Sequence, residues 1–559
     1  MTRDLAPARP ESVPRPPSRT IVSFWLPLAL VIAGAALRLW QYAARASLTV
    51  DEAALARNIV DRSLRTLLLE PLAFDQTAPP GFLVVEKAAV TLFGNNEYAL
   101  RLFPLACSIL SLVLLWRLAN RLLEGAGVST AIALMALPPG LIFYSCAVKQ
   151  YSSDVAGSLM LLLLALSLRQ GVPTVRQAWR AGAIGAVIVW FSQPAVLTLA
   201  GLGVALGALA MLERNKAALR RVGLVASFWV VSGAGAVLAS RGITSAATRG
   251  YMHAFWSEGF LPLPFHLRAS AGWLRDQITL SMLGPQGFAF PQPELYVALA
   301  ALGFVWLFLR RRDSAVLLAA PVLATVAAAA AQQYPLAGRL TLFLAPSLLL
   351  TVAAVVPFFG ALAAKPRAIV SGLVAILVVA PVAGALRSAP PAYTYEELTP
   401  ALSHLAGARR PGDQVYVYFG SAQAFLFYAP RFGFGKDDYV IGGCHRGDSA
   451  AYLRELDRFR RSPRLWVVLA HAERRDVQSI GDYLGHIGVV RDSAVTPSRL
   501  PYVGSGLGGR VDLYDLSDPE RLASSPDPGD HPSRSPAAIV PGRGCERGPA
   551  AITQDSLVR

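Results

Sequence analysis

Two adjacent carboxylates, Asp51 and Glu52, follow directly on the first long apolar segment of the chain, in the stretch SLTVDEAALARNIVDRSL. A carboxylate at such an edge can take a proton from a nucleophile that arrives from water, as a general base does. Two cations stand in comparable places between other apolar segments, Lys149 in KQYSSD and Arg339 in QQYPLAGR. Side chains of these two types can bind an anionic group, arginine as a planar fork and lysine as a point charge. Simpler explanations exist: the carboxylates favour the positive end of a helix that begins there, and the cations anchor the chain to lipid head groups.

The composition indicates a membrane protein. Of 559 residues, 54% are hydrophobic and only 16% are charged, whereas soluble chains are nearer a quarter charged. The net charge of +16 could suggest nucleic acid as a partner, but the basic residues fall largely in short runs between apolar segments. We therefore expect no nucleic acid as a partner. The four cysteines have no metal-type spacing.

Eleven apolar segments approach or exceed the roughly 18–20 residues that a helix needs to cross a bilayer. They lie at 21–42, 98–123, 127–146, 152–168, 181–193, 195–212, 222–240, 293–309, 314–331, 340–360 and 368–387. We predict a mainly α-helical polytopic protein with about 11 transmembrane helices. The first segment has an alternative reading as a signal peptide, but its length argues for a retained span. Arg38 within it is expected to snorkel to the membrane surface.

The basic residues between the segments orient this bundle, because short cytoplasmic connections are enriched in Lys and Arg. With a cytoplasmic N-terminus, six connections on that side carry Arg3, Arg9, Arg15, Arg19, Arg117, Arg121, Arg169, Arg176, Arg180, Arg214, Lys216, Arg220, Arg221, Arg310, Arg311, Arg312, Lys365 and Arg367. The short connections on the other side carry only Lys149 and Arg339. Residues 43–97, 241–292, 332–339 and all after 388 are then extracytoplasmic.

Four regions follow from these patterns. Residues 1–20 form a cytoplasmic tail, 21–390 a transmembrane catalytic domain, 391–517 an extracytoplasmic α/β domain, and 518–559 a disordered tail rich in Pro, Ser and Asp. The α/β prediction rests on β-type runs at 413–420, 464–471 and 509–516, which alternate with helical patterns at 421–429, 447–460 and 473–484. Interfacial helices are predicted in the first outer loop, in EAALARNIVDRSLRTLLL and at 82–93. A Cys444–Cys545 disulfide is one option outside the membrane.

The polar motifs gather on the predicted outer face, whereas the span interiors hold almost no ionisable residue at mid-depth. The outer loops contribute TRGYMHAFWSEG (248–259) and SMLGPQG (281–287) beside KQYSSD and QQYPLAGR. Charged residues within spans usually mark ion or substrate paths. Their scarcity argues against a coupled pump and for chemistry at the membrane surface.

These motifs together resemble the GT-C superfamily of glycosyltransferases that use polyprenyl-phosphate sugars. The likeness is greatest to glycosyltransferase family 39, which includes the protein O-mannosyltransferases, and to the lipid A aminoarabinose transferases. It covers roughly residues 20–390 and rests on DE after the first span, Pro79-Pro80, LFGNNEYALRLFPLACSILSLVLLWRLANRLL (92–123), KQYSSD and YPLAGRLTLFLAP (334–346). Two departures exist: Ala78 stands where members often have Lys before the proline pair, and Leu340 where many have Tyr after the arginine. They bear on the donor and the acceptor more than on the reaction class.

The resemblance implies roles for individual residues. Asp51 is the catalytic base, with Glu52 as an assistant or alternative. Lys149 and Arg339 bind the donor phosphate, and Tyr151 and Tyr334 orient it. Direct displacement by the acceptor would invert the anomeric configuration. Further contacts to the donor or acceptor are assigned to Asp154, Gln76, His253 and Arg249, although Asp154 also suits the first turn of a helix.

The partners implied are a polyprenyl-phosphate-sugar donor, membrane lipids, and an acceptor that is a glycan, a lipid or a protein. No cofactor is certain, and no ligand cluster demands a divalent metal. The Ala, Arg and Leu bias suggests the plasma (inner) membrane of a GC-rich bacterium, with an endoplasmic reticulum membrane as the alternative. Two rivals remain: a transporter or flippase of lipid-linked saccharide, which would need polar groups along a path at mid-depth, and a membrane anchor that presents the α/β domain.

Overall fold

The computed structural model describes residues 22–284, 287–290, 292–362, 392–445, 448–500 and 507–524, and the single residues 368, 372 and 377. Within these residues, eight helices are long and apolar enough to cross a membrane. They are Phe24–Ala43, Glu97–Leu122, Tyr151–Leu168, Ala195–Leu212, Lys216–Gly242, Pro293–Arg310, Arg312–Ala330 and Gly338–Ala361. A bent pair, Ala126–Ala136 with Pro139–Cys146, makes a ninth candidate. The chain is thus a mainly helical integral membrane protein, as predicted.

Two of the eleven predicted spans do not appear among these candidates. The segment 181–193 falls largely on the helix Val175–Ile188, whose 14 residues are short for a span. The segment 368–387 lies outside the described residues, apart from the three single positions. Each of the other nine predicted segments coincides with one of the candidates to within three residues at either end, except that the helix Lys216–Gly242 begins six residues before the predicted segment 222–240.

The third span is broken at a proline pair. Ala126–Ala136 and Pro139–Cys146 meet at 61°, because Pro138 and Pro139 cannot continue the hydrogen bonding of the first helix. Arg38 supplies the missing donors: its guanidinium donates to the carbonyl oxygens of Met135 at 2.8 Å and Ala136 at 3.1 Å.

Arg38 also donates to Ser108 Oγ at 2.8 Å and to Gly34 O at 3.0 Å, and only 1% of its surface is exposed. The expectation that Arg38 snorkels to the membrane surface is therefore wrong. Carbonyl groups left open inside a bundle need donors at that depth.

Close helix packing explains several of the small residues in the spans. A Cβ atom on Gly303, in Pro293–Arg310, would lie 1.8 Å from the carbonyl oxygen of Thr351 in the neighbouring helix Ala345–Ala353. Only glycine permits this approach. Membrane helices commonly associate through such small residues, because close backbone contact replaces the hydrophobic driving force.

The long connections between spans carry short helices. The first holds Val50–Asp61, Leu64–Leu69 and Pro80–Phe93, and the second holds Ala246–Phe255, Leu267–Asp276 and the π-helix Gln277–Met282. The helical pattern predicted to run through the first connection is interrupted at Ser63, whose hydroxyl caps the second helix. Eight residues of Val50–Asp61 are buried, so most of this helix is covered by other parts of the protein.

The C-terminal region holds a five-stranded mixed sheet with the order β2-β1-β3-β5-β4. The strands are β1 Gln414–Val417, β2 Val440–Ile441, β3 Leu465–Leu469, β4 Val489–Pro497 and β5 Leu507–Asp515. β1 runs parallel to β2 and β3, whereas β5 is antiparallel to β3 and β4. The helices are Thr399–Ala408, Ala422–Tyr428, Ser449–Asp457, Arg474–Ile487 and Pro519–Ser524.

We call residues 392–524 the α/β region. Its sheet and helices match the predicted runs at 413–420, 464–471 and 509–516, and add β2 and β4, which the sequence did not reveal. The last helix, Pro519–Ser524, lies in the segment for which the sequence predicts disorder. Arg521 holds it by donating to the carbonyl oxygens of Gly485 at 2.9 Å and Gly488 at 3.0 Å. The Cys444–Cys545 disulfide that the sequence leaves as one option involves Cys545, which lies outside the described residues.

The α/β region shares a hydrophobic core with the first connection. Leu55 and Ile59 of the helix Val50–Asp61 are fully buried in the same cluster as Val415, Phe425 and Trp466. The helix Val50–Asp61 packs directly against Ala422–Tyr428. The α/β region and this connection therefore form one packed body above the helix bundle.

Candidate active site

Asp51 lies in the first turn of the helix Val50–Asp61, where the sequence T-x-x-E gives a capping box. The carboxylate of Glu52 accepts a hydrogen bond from the backbone N–H of Thr49 at 3.0 Å. The neighbouring Asp51 side chain points outward and is 43% exposed. The carboxylate of Glu52 thus closes the helix end, whereas that of Asp51 is partly exposed to solvent.

Arg339 brings three predicted site residues into contact. Its Nη2 donates to Asp51 Oδ2 at 2.5 Å, and its Nε donates to the hydroxyl oxygen of Tyr151 at 2.9 Å. The guanidinium also lies over the ring of Trp256, 5.4 Å from the centroid, in cation–π geometry. Asp51 and Arg339 are 288 residues apart in the chain, so the fold alone brings them together.

Lys149 lies between the third and fourth spans and is partly buried. Burial lowers the pKa of its ammonium from 10.5 to about 8, against the opposing attraction of the Asp51 carboxylate. The ammonium donates to the side-chain oxygen of Gln76. Gln76 is held in turn by a 2.9 Å bond from its Nε2 to the carbonyl oxygen of Phe74. This predicted contact residue therefore orients a cation beside the carboxylate.

Glu52 connects the helix that carries Asp51 to the turn that carries Lys149. Its Oε1 accepts from the backbone N–H of Val148 at 2.8 Å, and Arg101 lies 3.5 Å from the same oxygen. Only 5% of Glu52 is exposed. Because Val148 precedes Lys149, this carboxylate fixes the helix that carries Asp51 relative to the turn that carries the lysine.

The remaining predicted residues differ in position. Tyr334 donates to the carbonyl oxygen of Leu340 at 2.9 Å and so braces the turn that holds Arg339. Asp154 is 5% exposed, and its Oδ1 has no hydrogen-bond partner among the described residues. His253 stacks on Phe260, with 4.6 Å between ring centroids. Arg249 donates to the carbonyl oxygens of Thr244 at 2.5 Å and Arg241 at 3.3 Å, and the second of these lies in the last turn of the helix Lys216–Gly242.

Several residues that the sequence did not single out complete the site. Trp256 stands in a motif that the sequence flagged as polar, and its indole covers Arg339. Tyr144 contacts Tyr151 edge-on, with 5.5 Å between ring centroids. Arg101 donates to the carbonyl oxygen of Ala46 at 2.6 Å. The sequence does show aromatic and basic residues in apolar surroundings. It does not show which way their side chains point.

Within the part of the chain that the structure describes, no group of three or more His, Cys, Asp or Glu side chains is arranged to hold a metal ion. The site as described consists of one exposed carboxylate, two cations, and tyrosine and tryptophan rings around them. Such a set can bind an anionic group and receive a proton beside it.

Comparison with known families supports the class that the motifs predicted. Residues 77–247 match the family described as dolichyl-phosphate-mannose-protein mannosyltransferase. The match covers less than half of the chain. The resemblance to GT-C membrane glycosyltransferases is thereby confirmed.

Particular solved structures are similar at low identity. ArnT from Cupriavidus metallidurans bound to undecaprenyl phosphate is 12% identical over 91% of this chain and 100% of its own, with a TM-score of 0.45. The Archaeoglobus fulgidus oligosaccharyltransferase in complex with Zn and sulfate is 12% identical over 73% of this chain and 61% of its own, with a TM-score of 0.47. No curated protein matches the chain. These likenesses are distant, and the chemistry proposed below rests on this chain's own residues.

Proposed function

We propose that this protein is a membrane glycosyltransferase that moves a sugar from a polyprenyl-phosphate-sugar donor to an acceptor, with Asp51 as the general base. The observation that carries the proposal is the direct contact between Asp51 and Arg339 at 2.5 Å, with Lys149 beside them. A base and a phosphate-binding cation must be neighbours, because the acceptor and the leaving phosphate meet at one carbon atom of the sugar.

In the proposed reaction, a nucleophilic atom of the acceptor forms a bond to the anomeric carbon. The bond from that carbon to the phosphate oxygen breaks at the same time, and its electron pair leaves with the phosphate. Asp51 takes the proton of the acceptor. Arg339 and Lys149 neutralise the charge on the departing phosphate. Displacement from the opposite side inverts the anomeric configuration.

The ion pair between Asp51 and Arg339 implies that the donor binds before Asp51 acts on the acceptor. Without a donor, the guanidinium satisfies the carboxylate, which is then a poor base. An incoming phosphate competes for the guanidinium, because arginine binds phosphate and carboxylate with the same planar fork. Donor binding therefore releases Asp51 for the acceptor.

The charged connections support an orientation with this site outside the cytoplasm. At the opposite end of the bundle, Arg169 pairs with Asp313 at 2.5 Å, and Arg121 donates to Ser167 at 2.8 Å. A bundle end rich in arginine is typical of the cytoplasmic side. The N-terminus then lies in the cytoplasm and the α/β region outside, where it contacts the residues that precede Asp51.

The test is transfer of labelled sugar in membranes that hold equal amounts of wild type, Asp51→Asn or Asp61→Asn. Asp61 lies on the same helix, is 59% exposed and serves as the matched control. Loss of a general base lowers the rate by about 100-fold or more, so we expect that loss for Asp51→Asn alone. Full activity in Asp51→Asn would exclude it as the base, and donor movement across vesicles without transfer would favour a flippase.

A further inference from the structure

Four consecutive backbone N–H groups lead into Asp51, and a side-chain oxygen accepts from each of them. Three of these oxygens belong to the α/β region, and the fourth is that of Glu52. The bonds are Ser47 to Glu397 at 3.1 Å, Leu48 to Tyr428 at 2.8 Å, Thr49 to Glu52 at 3.0 Å and Val50 to Glu396 at 2.7 Å. Side chains of the α/β region thus hold the backbone of the residues before Asp51 by hydrogen bonds.

Glu396 makes the contact nearest to Asp51. Val50 is the first residue of its helix, so its N–H has no partner within the helix and must find one elsewhere. Oε2 of Glu396 accepts from it, while Oε1 lies 2.5 Å from Nδ1 of His471. The Glu396 side chain is 4% exposed and that of His471 is 32% exposed. A buried carboxylate therefore links a half-exposed histidine to the helix start.

The position of His471 is set by the sheet. His471 follows the carboxyl end of β3, beside the carboxyl end of the parallel strand β1. Its carbonyl oxygen would lie only 2.8 Å from a Cβ atom on Gly420, so glycine at that position lets the two strand ends approach. The carboxyl edge of a parallel sheet is where open α/β folds assemble functional groups. Here that edge faces the residues that precede Asp51.

We infer that Glu396 and His471 are positioning residues for Asp51, an inference that rests on the proposed function. His471 holds Glu396, and Glu396 holds the first turn of the helix that carries the base. A displacement of this turn by about 1 Å is enough to lower a rate by roughly 100-fold, because proton transfer needs near-contact geometry. The α/β region thus acts in the reaction through the alignment of Asp51.

The test compares Glu396→Ala, Glu396→Gln, His471→Ala and the control His404→Ala in the full-length chain. Glutamine retains an oxygen for the Val50 N–H and can still bond the imidazole, so it should restore most of the activity. His404 pairs with Asp492 at 2.8 Å in the same region and is similarly exposed, which makes it a matched control. We expect kcat to fall about 10- to 100-fold in Glu396→Ala and less in His471→Ala. The KM for the donor should stay within about twofold, because Arg339 and Lys149 are unchanged.

Hydrogen exchange of peptides that cover residues 47–58 supplies a readout that needs no catalysis. Glu396→Ala should exchange faster than wild type there, and His404→Ala should not. Unchanged exchange in Glu396→Ala overturns the inference whether or not the chain transfers sugar, and so does faster exchange with unchanged kcat. A wild type that transfers no sugar overturns the proposed function and the role of Asp51 with it. Because hydrogen exchange needs no catalysis, it shows separately whether Glu396 holds the backbone at Val50.

Discussion

Raising the pH through about 8 should weaken the binding of a lipid phosphate, because Lys149 loses its charge there. Burial lowers the pKa of this ammonium from 10.5 to about 8. The lysine is charged below that pH and neutral above it, so the attraction for phosphate is present at pH 7 and lost at pH 9. Arg339 keeps its charge throughout, since arginine is not deprotonated in proteins.

The size of the effect follows from the pKa. At pH 9, about one lysine in ten is still protonated, so the Kd for phosphate should rise about tenfold from its value at pH 7 if the charged form is the one that binds. Each further pH unit adds another factor of about ten until phosphate binding rests on Arg339 alone. The ligand itself does not titrate in this range, because the second ionisation of a phosphate monoester lies near pH 6.

Binding of a short-chain polyprenyl phosphate to the purified protein in nanodiscs, measured at pH 7, 8, 9 and 10, checks this expectation. Lys149→Arg is the control, because its guanidinium stays charged and its binding should be flat with pH. Asp51→Asn removes a carboxylate that favours the ammonium, so the decline should begin at a lower pH. Equal slopes in wild type and Lys149→Arg would refute the reasoning.

Two further substitutions test other contacts. In Arg339→Lys, one ammonium replaces a fork that reaches both Tyr151 and Asp51. We expect kcat/KM to fall by about 10- to 100-fold, the value of one charge-assisted hydrogen bond, and an unchanged kcat/KM in the transfer assay would contradict the phosphate assignment. In Arg38→Met, carbonyl groups at the helix break lose their donors, so the free energy of unfolding should fall by about 3 kcal/mol, against about 1 kcal/mol for Ser108→Ala. Thermal unfolding in detergent measures both, and equal costs would show that the carbonyl bonds of Arg38 are unimportant.

Local patterns made much of the fold predictable. Apolar length located nine spans to within a few residues, because crossing a bilayer requires about 20 residues of helix. The runs at 464–471 and 509–516 became β3 and β5, since Val, Leu and Trp suit buried strands. Arg38 was misread because its partners are carbonyl groups of a distant helix break, which leave no trace beside it in the sequence.

The sequence indicates which residues could form the candidate site, but not how they are arranged. Chemistry and resemblance together singled out Asp51, Lys149, Tyr151 and Arg339, and two of the contacts among them are direct hydrogen bonds. The sequence could not reveal that the Glu52 carboxylate accepts hydrogen bonds from the backbone N–H groups of Thr49 and Val148. That outcome depends on how a helix end meets a loop 96 residues away.

The three bonds from the α/β region to residues 47–50 also bear on how the protein is made. They join positions that are 346, 350 and 380 residues apart. At the usual about 5–20 residues per second, roughly 20–70 seconds separate the synthesis of the two sides. Throughout that interval the segment before Asp51 has emerged while its partners are still unmade. On the proposed mechanism, the growing chain therefore has no aligned base for a donor lipid until translation has passed Tyr428.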